Sequence, residues 1–205
     1  HWACNSGHIE VAMALVDRDA DVDARDVAQR TPLHYACNGH MEVAMVLLDR
    51  GADVDARDVN EKTPLHWACN SGHIEVAMAL VDRGADIHAR DNDFQRTPLH
   101  FACVQGHMKV AMALVDRGAD VDARDVFQRT PLDYLSYKDR DRLERMINRN
   151  VGNVMSSMMP RIEERDAARR IFGLPDEIGR EVASYLGGKR KTKKRKTKKR
   201  KTRKH

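Results

Sequence analysis

Residues 63–85 read TPLHWACNSGHIEVAMALVDRGA, and pieces of this stretch return along the chain at a regular interval. The string TPLH or TPLD begins at Thr31, Thr63, Thr97 and Thr130, with spacings of 32, 34 and 33 residues. The string GH-x-[EK]-V-A-M begins at Gly7, Gly39, Gly72 and Gly106, and GAD begins at Gly51, Gly84 and Gly118. Three strings in phase at one period are the sequence signature of a repeat protein.

The threonine–proline pair predicts the start of a helix in each repeat. Thr31 can cap free amides, and Pro32 suits the first helical position, where no amide is needed. His34 stands three residues after the cap and can reach back to it, as a glutamate does in a capping box. We expect this first helix to run from about His34 to Asn38 and to end at Gly39, because glycine adopts a left-handed conformation at little cost.

A second helix is predicted in each repeat, for example from Ile74 to Arg83. Its apolar residues Ile74, Ala77, Leu80 and Val81 share one helical face. Gly84 ends it, and an extended turn then leads to the next threonine. One such unit cannot bury its own apolar face, so the units are expected to stack into an all-α solenoid.

These strings closely resemble the ankyrin repeat family over residues 1–148. The resemblance implies pairs of antiparallel helices with protruding turns and a concave surface that binds proteins. The sequence departs from the family pattern where a glycine usually stands two residues before the threonine; the residues there are Gln29, Glu61, Gln95 and Gln128. The last unit has a charged second helix, as expected of a cap. His1 enters in mid-helix, and we expect further repeats upstream.

Cysteine and histidine recur at fixed positions of the repeat. Cys4, Cys37, Cys69 and Cys103 each follow a histidine by three residues. Zinc ligation is one interpretation, but zinc sites gather four ligands at one point, whereas these pairs are spread along the array. We expect small buried residues between helices instead, and four unpaired thiols suit a reducing compartment. No catalytic motif is present, so we expect neither an enzyme nor a metal or other cofactor.

The turn tips are the predicted partner-binding positions, which the resemblance places at the residues ahead of each threonine. These are Arg25, Arg30, Arg57, Lys62, Arg90, Phe94, Arg96, Arg124, Phe127 and Arg129. Two basic residues per tip and two phenylalanines favour an acidic target with an apolar anchor. The alternative is a solvated ladder in which the cations pair with Asp26, Asp58, Asp91 and Asp125.

A methionine column recurs at a helical position that is usually polar in this family. Its members are Met13, Met45, Met78 and Met112. Methionine adapts to binding surfaces, but partial burial against neighbouring repeats is the other interpretation.

The segment after the repeats divides into a linker (149–160), a short helical segment (161–187) and a tail (188–205). Pro175 predicts a helix start, and the pattern around it resembles the opening helix of the F-box, in particular the abbreviated PRANC-type ends of ankyrin proteins from large DNA viruses. The residues that carry this likeness are Leu174, Pro175, Ile178, Val182, Tyr185 and Leu186. It implies a Skp-type ubiquitin-ligase subunit as partner, while a structural capping helix is the alternative.

The charge of the chain is unevenly distributed. Residues 189–205 hold 13 of the 36 basic residues and no acidic one, so the other 23 basic residues face 31 acidic residues. So dense a basic run is expected to be disordered. Its first members are Lys189, Arg190, Lys191, Lys193, Lys194, Arg195 and Lys196. Importin or nucleic acid is the expected partner.

The sequence thus predicts an ankyrin solenoid that acts as a substrate-recruiting adaptor for a Skp/cullin ubiquitin ligase, with viral origin implied by the resemblance. A plain ankyrin scaffold or inhibitor with a nuclear-targeting or nucleic-acid-binding tail is the alternative. The longest apolar runs have six residues, as at 11–16, and are far too short to span a bilayer. With no leader pattern either, we expect a protein of the cytoplasm or nucleus, without a membrane partner.

Overall fold

A computed structural model describes the backbone of residues 1–158 and the side chains of residues 1–149. The described chain consists of helices and turns, and no strand occurs in it. In order, the elements are α1 (Trp2–Asn5), α2 (Ile9–Val16), α3 (Pro32–Ala36), α4 (Met41–Asp49), α5 (Pro64–Ser71), α6 (Ile74–Asp82), α7 (Pro98–Val104), α8 (Met108–Asp116), a 3-10 helix (Pro131–Tyr134) and α9 (Tyr137–Met158). The helices pair as predicted, and each pair packs on the next. Residues His1–Arg149 form one compact unit.

The first helix of each interior pair begins with a capping box, as the sequence predicts. In α5, Nδ1 of His66 accepts a hydrogen bond from the Thr63 amide at 3.1 Å and lies 3.0 Å from its hydroxyl oxygen. The predicted bounds of α3 are wrong by two residues at each end, since the helix spans Pro32–Ala36 rather than 34–38. Proline itself occupies the first helical position, and the helix therefore starts at it.

Histidines also tie each unit to the next. Nε2 of His66 lies 3.1 Å from the carbonyl oxygen of Arg96, one repeat further on. His107, the residue before α8, lies 3.1 Å from the carbonyl oxygen of Asn70 through its own Nε2. Gly72 makes room for it, because a Cβ at this position would lie 2.6 Å from the His107 ring. Its φ of 79° is also in the left-handed region that glycine tolerates.

The core runs through the stack between the first and second helices of the units. In α6, Val76, Ala77 and Leu80 are buried, while Ile74 and Val81 are half-buried. The predicted face is therefore confirmed at its centre, although it omitted Val76. Equivalent valine and leucine positions in α4 and α8 are buried as well. Burial of each such side chain contributes about 1.5–3 kcal/mol relative to exposure.

The last unit departs from the others in both helices. Its first helix is a single 3-10 turn, and Asp133 replaces histidine in the capping box. Helix α9 is charged, as predicted for a cap, and buries Leu143 completely. It continues to Met158, so the backbone is helical over most of the predicted linker at 149–160.

Candidate functional site

Each turn tip is built around an aspartate. Oδ1 of Asp58 accepts hydrogen bonds from the amides of Asn60 at 2.9 Å and Lys62 at 3.0 Å. Asp26, Asp91 and Asp125 hold their own tips in the same way. These carboxylates shape the turn by mimicking a backbone hydrogen bond. Asp58, Asp91 and Asp125 are buried rather than solvated. Part of the predicted pairing is nevertheless present, because Arg96 pairs with Asp125 at 3.5 Å and Nε of Arg30 lies 3.9 Å from the Asp58 carboxylate.

The residues two positions before each threonine, where the family usually has glycine, are held in a left-handed backbone conformation. Gln29, Glu61, Gln95 and Gln128 have φ angles of 58°, 56°, 56° and 60°. A side chain in this region costs about 1–2 kcal/mol that glycine would avoid. The resemblance led us to expect glycine here, and the backbone keeps the geometry that glycine favours.

Consecutive tips are joined to one another through the backbone. The Val59 amide donates to the Ala28 carbonyl, and the Val126 amide to the Phe94 carbonyl, both at 3.0 Å. The Asn92 amide and the Asn60 carbonyl make the same link between the second and third tips at 3.0 Å. The tips therefore form a continuous ledge of backbone rather than separate loops.

The predicted tip cations are largely engaged within this ledge. Arg25 donates to the Arg57 carbonyl at 3.0 Å, and Arg90 donates to the Arg124 carbonyl at 2.7 Å. Lys62 pairs with Asp93 at 2.8 Å. Their polar hydrogens are therefore partly committed before any partner arrives. Four of the eight predicted cations are exposed, namely Arg25, Arg57, Arg124 and Arg129. The other four are half-buried, namely Arg30, Lys62, Arg90 and Arg96.

An apolar line remains exposed on the outer side of the ledge. We call it the tip stripe; its members are Val27, Val59, Phe94, Val126 and Phe127, and all are exposed. The Phe94 and Phe127 rings stack with centroids 5.9 Å apart, and Arg96 lies 4.7 Å above the Phe94 ring. Both phenylalanines were predicted as binding residues and are exposed as expected. The three valines belong to the same predicted tips, where each directly follows an Arg-Asp pair.

A column of aromatic rings lies behind the tips, on the first helices. The phenol of Tyr35 donates to Asp26 at 2.6 Å and helps to hold the pKa of that carboxyl below its ordinary value. Tyr134 donates to Asp125 in the same way. Trp67 and Phe101 occupy the two middle positions and have no phenol. Between these two rings lies a pocket lined by Lys62, His66, Trp67, Asn70 and Phe101.

The comparison with protein families decides the identity of this architecture. Ankyrin repeats (three copies) match residues 1–58 and 56–125, which is more than half of the chain. The chain belongs to the ankyrin-repeat family. A comparison with curated proteins found no match.

The capping-box histidines and the recurring cysteines of this ankyrin array are buried and contribute to its packing. Burial lowers the pKa of His66 to about 4, and it also lowers those of His34 and His100. All four cysteines are free and buried, as predicted. Burial raises the pKa of the Cys103 thiol to about 12, so a reactive thiolate is suppressed. Across residues 1–149, no cluster of three or more side chains could hold a metal ion.

The methionine column is mostly packing surface. Met45 and Met78 pack against the core, and Met112 is half-buried, as the second interpretation predicted. Met13 is exposed. No helix within the described residues is both long and apolar enough to cross a bilayer. The F-box-like residues at 174–186 and the basic tail lie outside the described residues.

Proposed function

We propose that this ankyrin array binds a target protein through the tip stripe and the aromatic column behind it. The exposed, stacked pair Phe94 and Phe127 carries the proposal. Two large rings on a solvent-facing turn gain little for the fold, but they supply the kind of apolar anchor that dominates protein interfaces. The backbone ledge holds them in place before binding, which lowers the ordering cost of association.

The charges around the stripe support an acidic target segment. The exposed Arg124 and Arg129 flank Phe127 at the fourth tip, beside Phe94 of the third tip. A partner with alternating acidic and apolar residues would meet both features. Because several cations are already hydrogen-bonded, we assign most of the affinity to the apolar anchor and the orientation to the charges.

The test compares capture of partners by matched variants. Phe94→Ala with Phe127→Ala should lose a captured protein that the wild-type chain retains, while the melting temperature stays nearly unchanged. Leu15→Ala is the control, because Leu15 is an equally exposed apolar residue on a surface away from the tips. Equal capture by all three proteins, detected by mass spectrometry, would overturn the proposal.

The adaptor role is proposed from the sequence at 174–186. Its likeness to an F-box opening supports docking of a Skp-type subunit of a cullin ligase, with the array holding the substrate. Leu174→Ala with Ile178→Ala should abolish pull-down of that subunit. If neither form or both forms retain the subunit, the segment is a structural cap and the array is a plain scaffold or inhibitor.

The basic tail supports a separate proposal of nuclear targeting. Thirteen basic residues within 189–205 suit importin or nonspecific contact with nucleic acid. Deletion of the tail should abolish nuclear or nucleolar accumulation of a tagged chain. An unchanged distribution would contradict this, and any nucleic-acid binding should weaken steeply with salt.

A further inference from the structure

Each of the first three tips is joined to the tip that follows it by the same two kinds of contact. An amide of the following tip donates at 3.0 Å to a carbonyl oxygen, which belongs to Ala28, Asn60 or Phe94. An aspartate of the following tip pairs with a cation, which is Arg30 at 3.9 Å, Lys62 at 2.8 Å or Arg96 at 3.5 Å. Each tip thus offers one acceptor and one cation to the next.

At the fourth tip, these two groups lack such partners within the part of the chain that the structure describes. The equivalent acceptor is the carbonyl of Phe127, to which no described group donates. The equivalent cation is Arg129, which makes no ion pair with a described residue and lies 5.9 Å from the centroid of the Phe127 ring. Residues 126–129 are all exposed, and Phe127 is 57% exposed although its ring stacks on Phe94. The edge of the fourth tip therefore combines an acceptor, a cation and an apolar ring.

The unit that follows the fourth tip forms no fifth tip within residues 1–158. In the earlier units, the aspartate of the next tip follows the threonine by 27 or 28 residues, as from Thr31 to Asp58 and from Thr97 to Asp125. The same spacing from Thr130 reaches residues 157 and 158, which are serine and methionine. The backbone is still helical there, because α9 extends to Met158. Neither a turn nor a carboxylate therefore stands at the position of a fifth tip.

We propose that an extended acidic segment of the target protein continues the ledge at the edge of the fourth tip. An amide of this segment donates to the Phe127 carbonyl, its carboxylate pairs with Arg129, and its aromatic side chain covers the Phe127 ring. The step from the third to the fourth tip gives the order of these groups, since the fourth tip supplies them to the third from three consecutive residues, Asp125, Val126 and Phe127. The inference rests on the proposed function and specifies the segment: an aspartate followed by an apolar and an aromatic residue.

The charge of the fourth tip favours this occupant. Its two arginines, Arg124 and Arg129, are exposed. Its one acidic residue, Asp125, is buried and accepts from the amides of Phe127 and Arg129 within the turn. The exposed charge at this edge is therefore positive, which attracts an acidic segment and disfavours a basic one. Main-chain hydrogen bonds at such an edge supply affinity, and the side chains supply specificity.

Titration of the isotope-labelled full chain with a short peptide tests this edge. The probe is acetyl-Gly-Asp-Val-Phe-Gly-amide at millimolar concentration, and we expect it to shift the carbonyl-carbon signal of Phe127. The signal of the Ala28 carbonyl should stay in place, because this group already accepts from the second tip. A peptide with asparagine for aspartate should bind about two- to fivefold more weakly, as expected for the loss of an exposed ion pair. A peptide with N-methylated valine cannot donate and should bind about two- to tenfold more weakly.

Variants of the chain then assign the carboxylate to its partner. Arg129→Gln should abolish the preference for the aspartate peptide over the asparagine peptide, whereas Arg18→Gln, which changes an exposed arginine outside the tips, should leave it intact. An unmoved Phe127 signal, or equal binding of the three peptides, would overturn the inference. Self-association of the chain that Arg129→Gln abolishes would also overturn it, since the occupant would then be a second copy. Loss of partner capture by the Phe94 and Phe127 variants would still support the proposed function in either case, so the two failures are distinguishable.

Discussion

The first 18 residues of the chain are repeated without change at 66–83, yet the two copies have different environments. Val76 and Leu80 are 1% and 0% exposed, whereas their copies Val11 and Leu15 are 45% and 50% exposed. The helix α5 has eight residues, while α1 has four. Since the sequence is the same, the difference comes from the neighbouring units. Side-chain burial and helix length in this array therefore depend on the units stacked beside each copy, as expected of a solenoid whose units contact only their neighbours.

The largest effect should be seen in paired leucine truncations. Leu80→Ala is expected to lower the free energy of unfolding by about 2–5 kcal/mol, because it leaves a cavity in the core. Leu15→Ala changes the same residue in the same local sequence and should cost less than half as much, because that side chain is already half in water. Denaturant unfolding of both variants provides the measurement. Equal costs would show that stacking does not set the burial.

This comparison also shows how far the sequence could predict the structure. Capping boxes and second helices follow from local patterns, and Thr63 with His66 behaves as predicted. Burial at a given position depends on the unit beside it, so the pattern alone could not distinguish Leu15 from Leu80. The pocket was missed for the same reason: whether Lys62 covers Phe101 depends on competition from Asp93 one tip away.

A pH effect of similar size is expected at the interior histidines. His66 stays neutral in the fold down to a pKa of about 4, whereas an unfolded histidine takes up its proton near its ordinary pKa of about 6.5. The unfolded chain therefore binds more protons in this window, and stability falls as the pH decreases from about 6.5 to 4, by about 3 kcal/mol from this residue. His66→Gln keeps an acceptor in the capping box without a titrating ring.

Denaturant unfolding at a series of pH values checks this. The variant should show a shallower loss of stability on acidification than the wild type, even though it starts from a lower stability at neutral pH. A slope unchanged by the substitution would mean that His66 is protonated in the native array. His1, the copy of His66, is exposed, so His1→Gln is the matched control.

A smaller effect should appear at the residue that follows the two copies. Asp19 has a φ of 58°, and Gly84 takes its place in the interior copy with a φ of 90°. Asp19→Gly should stabilise the chain by about 0.5–1 kcal/mol, and Gly84→Asp should destabilise it by about as much, because only the side-chain residue is strained there. No atom lies within 4 Å of a Cβ at Gly84, so crowding does not confuse the result. Melting curves that move the other way would contradict the conformational account.

The smallest effect concerns thiol accessibility and should leave stability unaffected. Burial raises the pKa of both Cys4 and Cys69, but only Cys69 is covered by a unit on each side. In a folded protein produced as residues 1–205, Cys4 should react with a thiol reagent at least about tenfold faster, because a unit packed on one side only opens more often. Mass spectrometry of partially labelled protein measures this. Equal labelling rates would indicate that the whole array opens together.

Hydrogen exchange of the two identical copies tests the stacking account most directly. Fragments that end at Ala20 and Ala85 differ in mass through Asp19 and Gly84, yet they contain the same 18 residues with the same intrinsic exchange rates. In a protein produced as residues 1–205, we predict that the amides at 66–83 exchange at least about tenfold more slowly than those at 1–18, since the first copy then packs against a repeat on one side only and opening costs less. Equal protection of the two copies, or slower exchange in the first, would contradict the account.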